Sequence, residues 1–497
     1  MRVGKTELII ILIAFLCVSL YVLSWLAFGF KPVFLWTDVL VYILVVSIIA
    51  FALYAKSKPH LRDPWRQVWR RKLGMSALVI LLFYVFAGLL DSVHFRMPLQ
   101  NQTSEGEMQY QSDVLTVLDM VLPSLHENVE KTYSSPFATH LFAKETIQHD
   151  DGSTTREYPR LKFGGAHLDE HASGRTMDVL VNTFIGLTMG LLISVLVIGV
   201  ILFLLAKHWS CSFKQASEKI LKQESEAAWA VVLLTLLLCI TLISLLYYLS
   251  YYYHVFGTDK VGRDVLYQAI KSIRTGLVIG TLTTLIMLPF AMMLGIMAGY
   301  FRGWIDDVIQ YLYTTLNSIP GILLIAAAVL MMQIYMANHP ELFETDSERA
   351  DTRLFFLCII LGITSWTGLC RMLRGEALKL REMDYIQAAS AFGVSNFKII
   401  WRHIQPNVMH IILIAVVLDF SGLVLAEAVL SYVGVGVDPT TYSWGNLING
   451  ARLEMAREPL VWWSLLAAFI FMFILVLAAN LFSDAVRDAF DPRIRKQ

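Results

Sequence analysis

Apolar runs of about twenty residues alternate with short polar loops along most of the chain. That pattern predicts helices able to cross a bilayer, not elements sharing one water-soluble core. Ten runs are legible, at residues 8–29, 36–55, 74–91, 179–206, 228–253, 275–300, 308–336, 354–371, 408–436 and 460–483. The first is longer than the core of a signal peptide and lacks a small-x-small cleavage site, so it reads as a retained anchor. Two intervals break the rhythm. Val93 to Asp178 is long and polar, with a helix expected only at Val114 to Lys131. Asp384 to Asn407, "DYIQAASAFGVSNFKIIWRHIQPN", carries small residues, a glycine, a basic stretch and a proline between two apolar runs.

Composition agrees with a membrane protein: 56% of residues are hydrophobic and 16% charged, with a mean hydropathy of +0.59. Net charge is zero, so only its distribution informs. Lys56 to Lys72 holds seven Lys/Arg and one Asp, and Arg371 to Arg402 holds six against three acids; both are expected in the cytoplasm. The loop Ala337 to Asp351, with five acids and one Arg, is expected outside, and the tail "RDAFDPRIRKQ" is basic. Ten spans with both termini in the cytoplasm satisfy all four segments. Val93 to Asp178 then forms a small extracytoplasmic domain with thirteen acids, seven Lys/Arg and no cysteine. No nucleic-acid partner is expected. The five cysteines are scattered without a CxxC, so neither a metal nor a redox role is expected of them. His167 and His171 beside Asp169 and Glu170 could meet on a metal over one helical turn; a solvated polar loop is the simpler reading, and no metal site is assigned.

Asp384 to Asn407 predicts a bent pair of short helices. Glu382 to Phe392 lacks Gly and Pro, Gly393 supplies a left-handed break, Ser395 is a fair N-cap for a helix over Asn396 to Arg402, and Pro406 suits the start of the next span. Ala388, Ala389 and Ser390 form a flat face open to close approach. Composition alone leaves this even with an ordinary amphipathic loop.

The motif "QAASAFG", nine residues, then "HIQP" resembles the EAA loop of ABC-importer permeases. Ala388, Ala389, Gly393 and Pro406 match in register, while Gln387 stands for the usual Glu, His403 for Ile and Gln405 for Leu. "GTDKVGRDVL", "AGYFRGWIDD", "SIPGILL", "LAEAVLSYVGVGVDPTTYSWGNLI" and "DAVRDAFDPR" follow in family order over residues 257–493. Together they resemble the C-type permease subunit of dipeptide and oligopeptide importers, and "WRRKLGMSALVILL" resembles that family's first span.

The resemblance implies an all-α polytopic membrane protein of about ten transmembrane helices, with a MetI-like permease core at 257–497. It leaves an extra N-terminal hairpin (1–60), a family-like first span with its basic lead-in (61–92), the outer domain (93–178) and two additional spans (179–256) with no transferable role. It also implies that Asp384, Tyr385, Gln387, Ala388, Ala389, Gly393 and Pro406 couple to a cytoplasmic ATPase. The implied partners are a second, B-type permease, two ATPase subunits and an extracytoplasmic peptide-binding protein, in a bacterial inner membrane. The chain has no Walker-type GxxxxGK[ST], so ATP and Mg are expected on the partners and no cofactor here.

Asp419 and Glu427 fall inside the ninth run, where a carboxylate is costly and usually faces a cavity or partner helix. Both, together with Asn317 and Pro320, are candidates for the substrate path; in the structural alternative Glu427 pairs with a polar residue such as Asn317. Pro320 and Gly321 permit a kink in the seventh run. Other readings are the same importer carrying nickel or a modified peptide, and a proton-coupled carrier, which usually shows two matching halves. An intramembrane enzyme lacks support: there is no HExxH and no Gly-x-Ser-x-Gly.

Overall fold

The computed structural model describes residues 29–57, 59–98, 110–111, 113–148, 154–169, 174–222, 227–343 and 345–490. Residues 8–28 of the first apolar run, Glu170 and His171, and the last seven residues of the basic tail lie outside them.

Eight described helices are long and apolar enough to cross a membrane: Lys72–Asp91, Arg175–His208, Trp229–Leu249, Val265–Phe301, Gly321–Asn338, Asp346–Arg381, Asn396–Tyr432 and Trp463–Phe490. Trp36–Ser57 is a further helix with an apolar stretch at Trp36–Ala50. The expectation of one span over 308–336 is corrected. The chain breaks at Ile319 and Pro320, whose backbone is extended, leaving Trp304–Ser318 and Gly321–Asn338 as separate helices. Proline disfavours helical geometry in the residue before it, which hydropathy does not register.

The chain forms two compact units. The first comprises the described residues of Met1–Val33, with Tyr54–Thr275 and Tyr442–Leu481. Its helices Arg175–His208 and Trp229–Leu249 approach closely because the contact face is small. A Cβ on Gly190 would sit 2.9 Å from the Thr241 backbone, and one on Gly186 would sit 3.0 Å from Leu245. Ser194, one turn on, shares a 3.1 Å hydrogen bond with the Thr241 hydroxyl. In hydrocarbon, close backbone approach and polar contacts between helices replace the hydrophobic effect as the adhesive.

The polar segment belongs to this unit. His94–Arg96 pairs antiparallel with Lys31–Val33 and with Leu115–Thr116, and Glu145–Gln148 forms a hairpin with Thr154–Glu157. The single helix expected over Val114 to Lys131 is two short ones, Val117–Val121 and Pro123–Glu127, divided at Leu122 before Pro123. Thr116 starts the first with a capping box through Asp119.

In sequence, "GTDKVGRD" sets Asp259, Arg263 and Asp264 around two glycines, a pattern that predicts a tight polar turn, and it folds as one. Gly257 and Gly262 take φ of 67° and 79°, and the Asp259 carboxylate accepts the N–H groups of Val261 and Arg263, both at 2.9 Å. A Cβ on Gly262 would fall 1.8 Å from the Glu130 carbonyl oxygen, so only glycine fits against the polar segment there. Glu130 accepts backbone N–H groups from Lys162, Phe163 and Gly164 at 2.7–3.1 Å. His254 lies 2.7 Å from Asp264 and 3.5 Å from Glu130. Burial alone would lower the His254 pKa, but its two carboxylate neighbours outweigh that and push it up to about 9. Burial would raise that of Glu130, yet His254 and the three N–H donors hold it down at about 2.

A buried charge cluster completes this unit. The Lys271 ammonium donates to Asp91 at 2.6 Å, Asp119 at 2.9 Å and Thr116 at 3.0 Å, and the Tyr267 hydroxyl donates to Asp119 at 2.7 Å. Removing one partner of such a network leaves an uncompensated buried charge.

The second unit comprises Phe34–Leu53, Gly276–Thr441 and the described residues of Phe482–Gln497. In it, the part of Val265–Phe301 from Gly276 onward packs against Asp346–Arg381 through glycines. A Cβ on Gly299 would meet that of Ala377 at 2.6 Å, and one on Gly295 the Cys370 carbonyl at 2.7 Å. Arg374 grips Asp306 with two hydrogen bonds of 2.6 and 2.7 Å. Most of the Trp36–Ser57 helix, up to Leu53, belongs to this unit: the Thr37 N–H donates to Asp351 at 3.1 Å, and Leu40 and Val41 pack against the cluster around Val278 and Leu354.

Candidate functional site

The segment between Asp346–Arg381 and the span ending at Tyr432 is built on four buried anchors. Ile386, Ile399, Ile404 and Val408 are at most 2% exposed and share a core with Leu373, Ala377 and Leu380. Burying an aliphatic side chain of this size stabilises by about 1.5–3 kcal/mol relative to water. The short helix Asp384–Ala391 is thereby fixed, with its other face free.

Gly393 ends that helix in the left-handed region at φ 74°. The Gly393 N–H donates to Ser390 O at 3.0 Å and the Val394 N–H to Ala389 O at 3.1 Å. This is a Schellman motif, completed by Ala389 and Val394 packing on the same core. The bend expected at Gly393 is therefore present, with a second helix starting at Asn396. Ser395 takes the N-cap position expected of it, without a capping hydrogen bond from its side chain. One expectation is corrected: the helix does not stop at Arg402, and a π-helical turn, Ile400–Ile404, carries it into Gln405–Tyr432. Pro406 lies in the first turn of Gln405–Tyr432, just after the π turn, where the missing N–H of proline is least costly.

The segment is tied to neighbouring helices. The Tyr300 hydroxyl donates to Asn396 Oδ1 at 2.9 Å, Arg381 donates to the Tyr300 carbonyl at 2.9 Å, and Arg302 pairs with Glu382 at 2.5 Å. Gln387 donates to the Glu382 carbonyl at 3.3 Å, and Asn407 to the Tyr385 hydroxyl at 3.2 Å.

Of the residues singled out in sequence, Asp384, Tyr385, Gln387, Ala388, Gly393 and Pro406 are exposed on this segment, and Ala389 is half-buried beneath them. Sequence reasoning missed the aromatics. Phe392, Phe397 and Trp401 are 87%, 76% and 63% exposed. Phe397 and Trp401 lie almost parallel, 9° apart. Phe397, Lys398, Trp401, Arg402 and Pro406 line a groove of about 470 Å³. The signal was available: aromatics at i and i+4 on a charged helix have no intramolecular reason to face outward.

The path candidates stand apart. Asp419 is half-buried in its span and has no hydrogen-bonding or ionic partner among the described residues. Glu427 is buried and accepts from Ser431 Oγ at 2.7 Å. It does not pair with Asn317, which accepts from Thr367 Oγ1 at 3.1 Å; four residues on the same helix supply the nearer partner. Pro320 is exposed at the helix break described above. The His167 Nε2–H donates to the Asp178 carboxylate at 2.8 Å, and no group of metal-ligating side chains occurs among the described residues.

The family description "binding-protein-dependent transport system inner membrane component" matches residues 291–496, which contain the whole segment. The glutathione transport system permease protein GsiD of Pectobacterium atrosepticum is 31% identical over 49% of this chain and 73% of its own length. This chain belongs to that transport family. The oligopeptide transport system permease protein OppC of Mycobacterium tuberculosis is 33% identical over 49% of this chain and 77% of its own. The dipeptide transport system permease protein DppC of Lactococcus lactis is 30% identical over 48% and 64%. Among solved structures, the inward-facing MetNI methionine ABC transporter gives a TM-score of 0.32 at 17% identity, over 44% of this chain and 93% of that one. The protein is thus a multi-pass inner-membrane permease subunit of an ABC importer, and family membership implies ATPase and further permease partners.

Proposed function

We propose that this permease is the C-type subunit of an importer of dipeptides and oligopeptides. It contributes half of a translocation path beside a B-type permease, receives peptide from an extracytoplasmic binding protein, and is driven by two cytoplasmic ATPases that hold ATP and Mg. The observation that carries the coupling role is the Asp384–Asn407 segment: a rigidly anchored helix pair whose outward face offers Ala388, Gly393 and exposed aromatics to a partner. A small-residue face permits close approach, and exposed aromatics of this size are normally buried at an interface. The peptide assignment draws on the substrates named for the relatives. Asp419, an acid without a partner in an apolar span, suits a peptide's ammonium or basic side chain. Both termini and the coupling segment face the cytoplasm in this reading, and Val93 to Asp178 faces outward.

Uptake of labelled peptides of graded length, in cells with and without the gene, tests the substrate. Gene-dependent uptake of dipeptides or longer peptides supports the reading. Uptake unchanged by deletion, with loss of import of a non-peptide solute, contradicts it.

A further inference from the structure

Three spans of the first unit, Lys72–Asp91, Arg175–His208 and Trp229–Leu249, share an end that carries two amphipathic helices. Pro59–Arg70 leads directly into the first span, and Phe213–Leu221 links the other two. The Ala228 N–H, at the start of Trp229–Leu249, donates to the Trp69 carbonyl at 2.9 Å, which ties the first amphipathic helix to the end of the span that the second one leads into. Each has a buried seam, Val68 on one and Ala216 with Ile220 on the other. Each also exposes cations and large apolar side chains side by side. On the first, Arg62, Arg66 and Arg70 recur every four residues and are exposed, beside Trp69 at 44% exposure and, at the start of the span that follows, Leu73 at 68%. On the second, Lys214, Lys219 and Lys222 are exposed beside Phe213 and Leu221.

This combination does not suit water, where the apolar side chains gain nothing, nor a hydrocarbon core, where the cations are costly. It suits the boundary between them. The level is fixed by the chain: Leu73 is in the first turn of a span, and Phe213 follows closely on the end of another at His208. Lipid headgroups lie at the ends of spans, so these cations face phosphodiesters rather than bulk solvent.

We propose that this end of the three-span module is a binding surface for anionic phospholipid headgroups, phosphatidylglycerol-like phosphodiesters of the cytoplasmic leaflet. The basic side chains hold the phosphates, and Trp69, Leu73, Phe213 and Leu221 insert between the acyl chains. The module then anchors the permease in an anionic lipid environment, a role separate from peptide choice. It rests on the orientation proposed above for its leaflet, but not for the lipid chemistry.

The test uses the full chain purified in mixed micelles of phosphatidylcholine and phosphatidylglycerol, with retained lipid counted by native mass spectrometry. The variant R62Q/R70Q/K214Q/K222Q changes only exposed side chains; K144Q/R156Q, on the polar segment, is the control for lost charge. Wild type and control should retain phosphatidylglycerol over phosphatidylcholine. The fourfold variant should lose that preference, by roughly fivefold for each cation removed, while its thermal unfolding in phosphatidylcholine alone stays unchanged. Equal loss in the control, or equal retention in the fourfold variant, overturns the proposal. So does displacement of the lipid by millimolar inorganic phosphate, which marks a site for a small soluble anion, or retention that changes only when ATPase is present, which marks a protein interface.

Discussion

The Tyr300 hydroxyl donates a 2.9 Å hydrogen bond to Asn396, joining the last turn of Val265–Phe301 to the first residue of the helix that follows the Schellman bend. A partner that pulls on the exposed face of Asp384–Asn407 therefore moves a long span through a direct link, not through a flexible loop. Tyr300→Phe removes the link and keeps the ring. A hydrogen bond of this kind contributes about 0.5–1.5 kcal/mol. The variant should assemble normally yet transport several-fold more slowly per ATP hydrolysed, as measured by paired uptake and phosphate release in vesicles.

The close approach at Gly190 should be intolerant. Gly190→Val would drive two methyl groups into the Thr241 backbone, already 2.9 Å from a Cβ. Overpacking of this sort costs about 1–3 kcal/mol. Thermal unfolding in detergent should shift down by several degrees, whereas Gly199→Val, where a Cβ meets nothing, should leave it unchanged.

The polar segment should loosen at alkaline pH. The His254 pKa is raised to about 9 from 6.5. Its contribution is therefore complete below 6.5 and is lost as pH rises through about 9, a span on the order of 3 kcal/mol. Glu130, lowered from 4.5 to about 2, acts in the opposite sense: its contribution is complete above 4.5 and fades as pH falls toward 2. Amide protection factors, corrected for the intrinsic base-catalysed exchange rate, should fall between pH 7 and 9 in the described residues of 130–165, and His254→Gln should remove that fall.

If Asp419 lines the path, Asp419→Asn should preserve assembly and ATP hydrolysis while reducing uptake of peptides with basic residues most, by roughly the tenfold that about 1.4 kcal/mol represents. Asp419→Leu should be worse. Competition uptake with neutral, acidic and basic dipeptides reads this out, and an unchanged selectivity profile would remove Asp419 from the path.

Local chemistry was legible in the sequence wherever one residue type admits one backbone solution. Gly393 marked the bend, Gly257 and Gly262 the tight turn, and uninterrupted apolar runs the spans. Features that depend on partners far along the chain were not. Asp91 and Lys271 lie 180 residues apart, and nothing near either names the other. Pro320 and Gly321 marked a kink, but the apolar residues on both sides kept the hydropathy high and concealed that one helix ends there and another begins. The short strands of the polar segment are too brief, at two to four residues, to show an alternating pattern.

The central claim is that the outward face of Asp384–Asn407 docks onto an ATPase. Ala388 is the position to probe, because it is exposed and Ala388→Arg disturbs no buried contact. The direct measurement is ATPase co-purification with the tagged permease, together with peptide uptake in reconstituted vesicles. Ala388→Arg should lose the ATPase and abolish uptake while the permease unfolds at the wild-type temperature. Full ATPase recovery with normal uptake in Ala388→Arg would contradict the account.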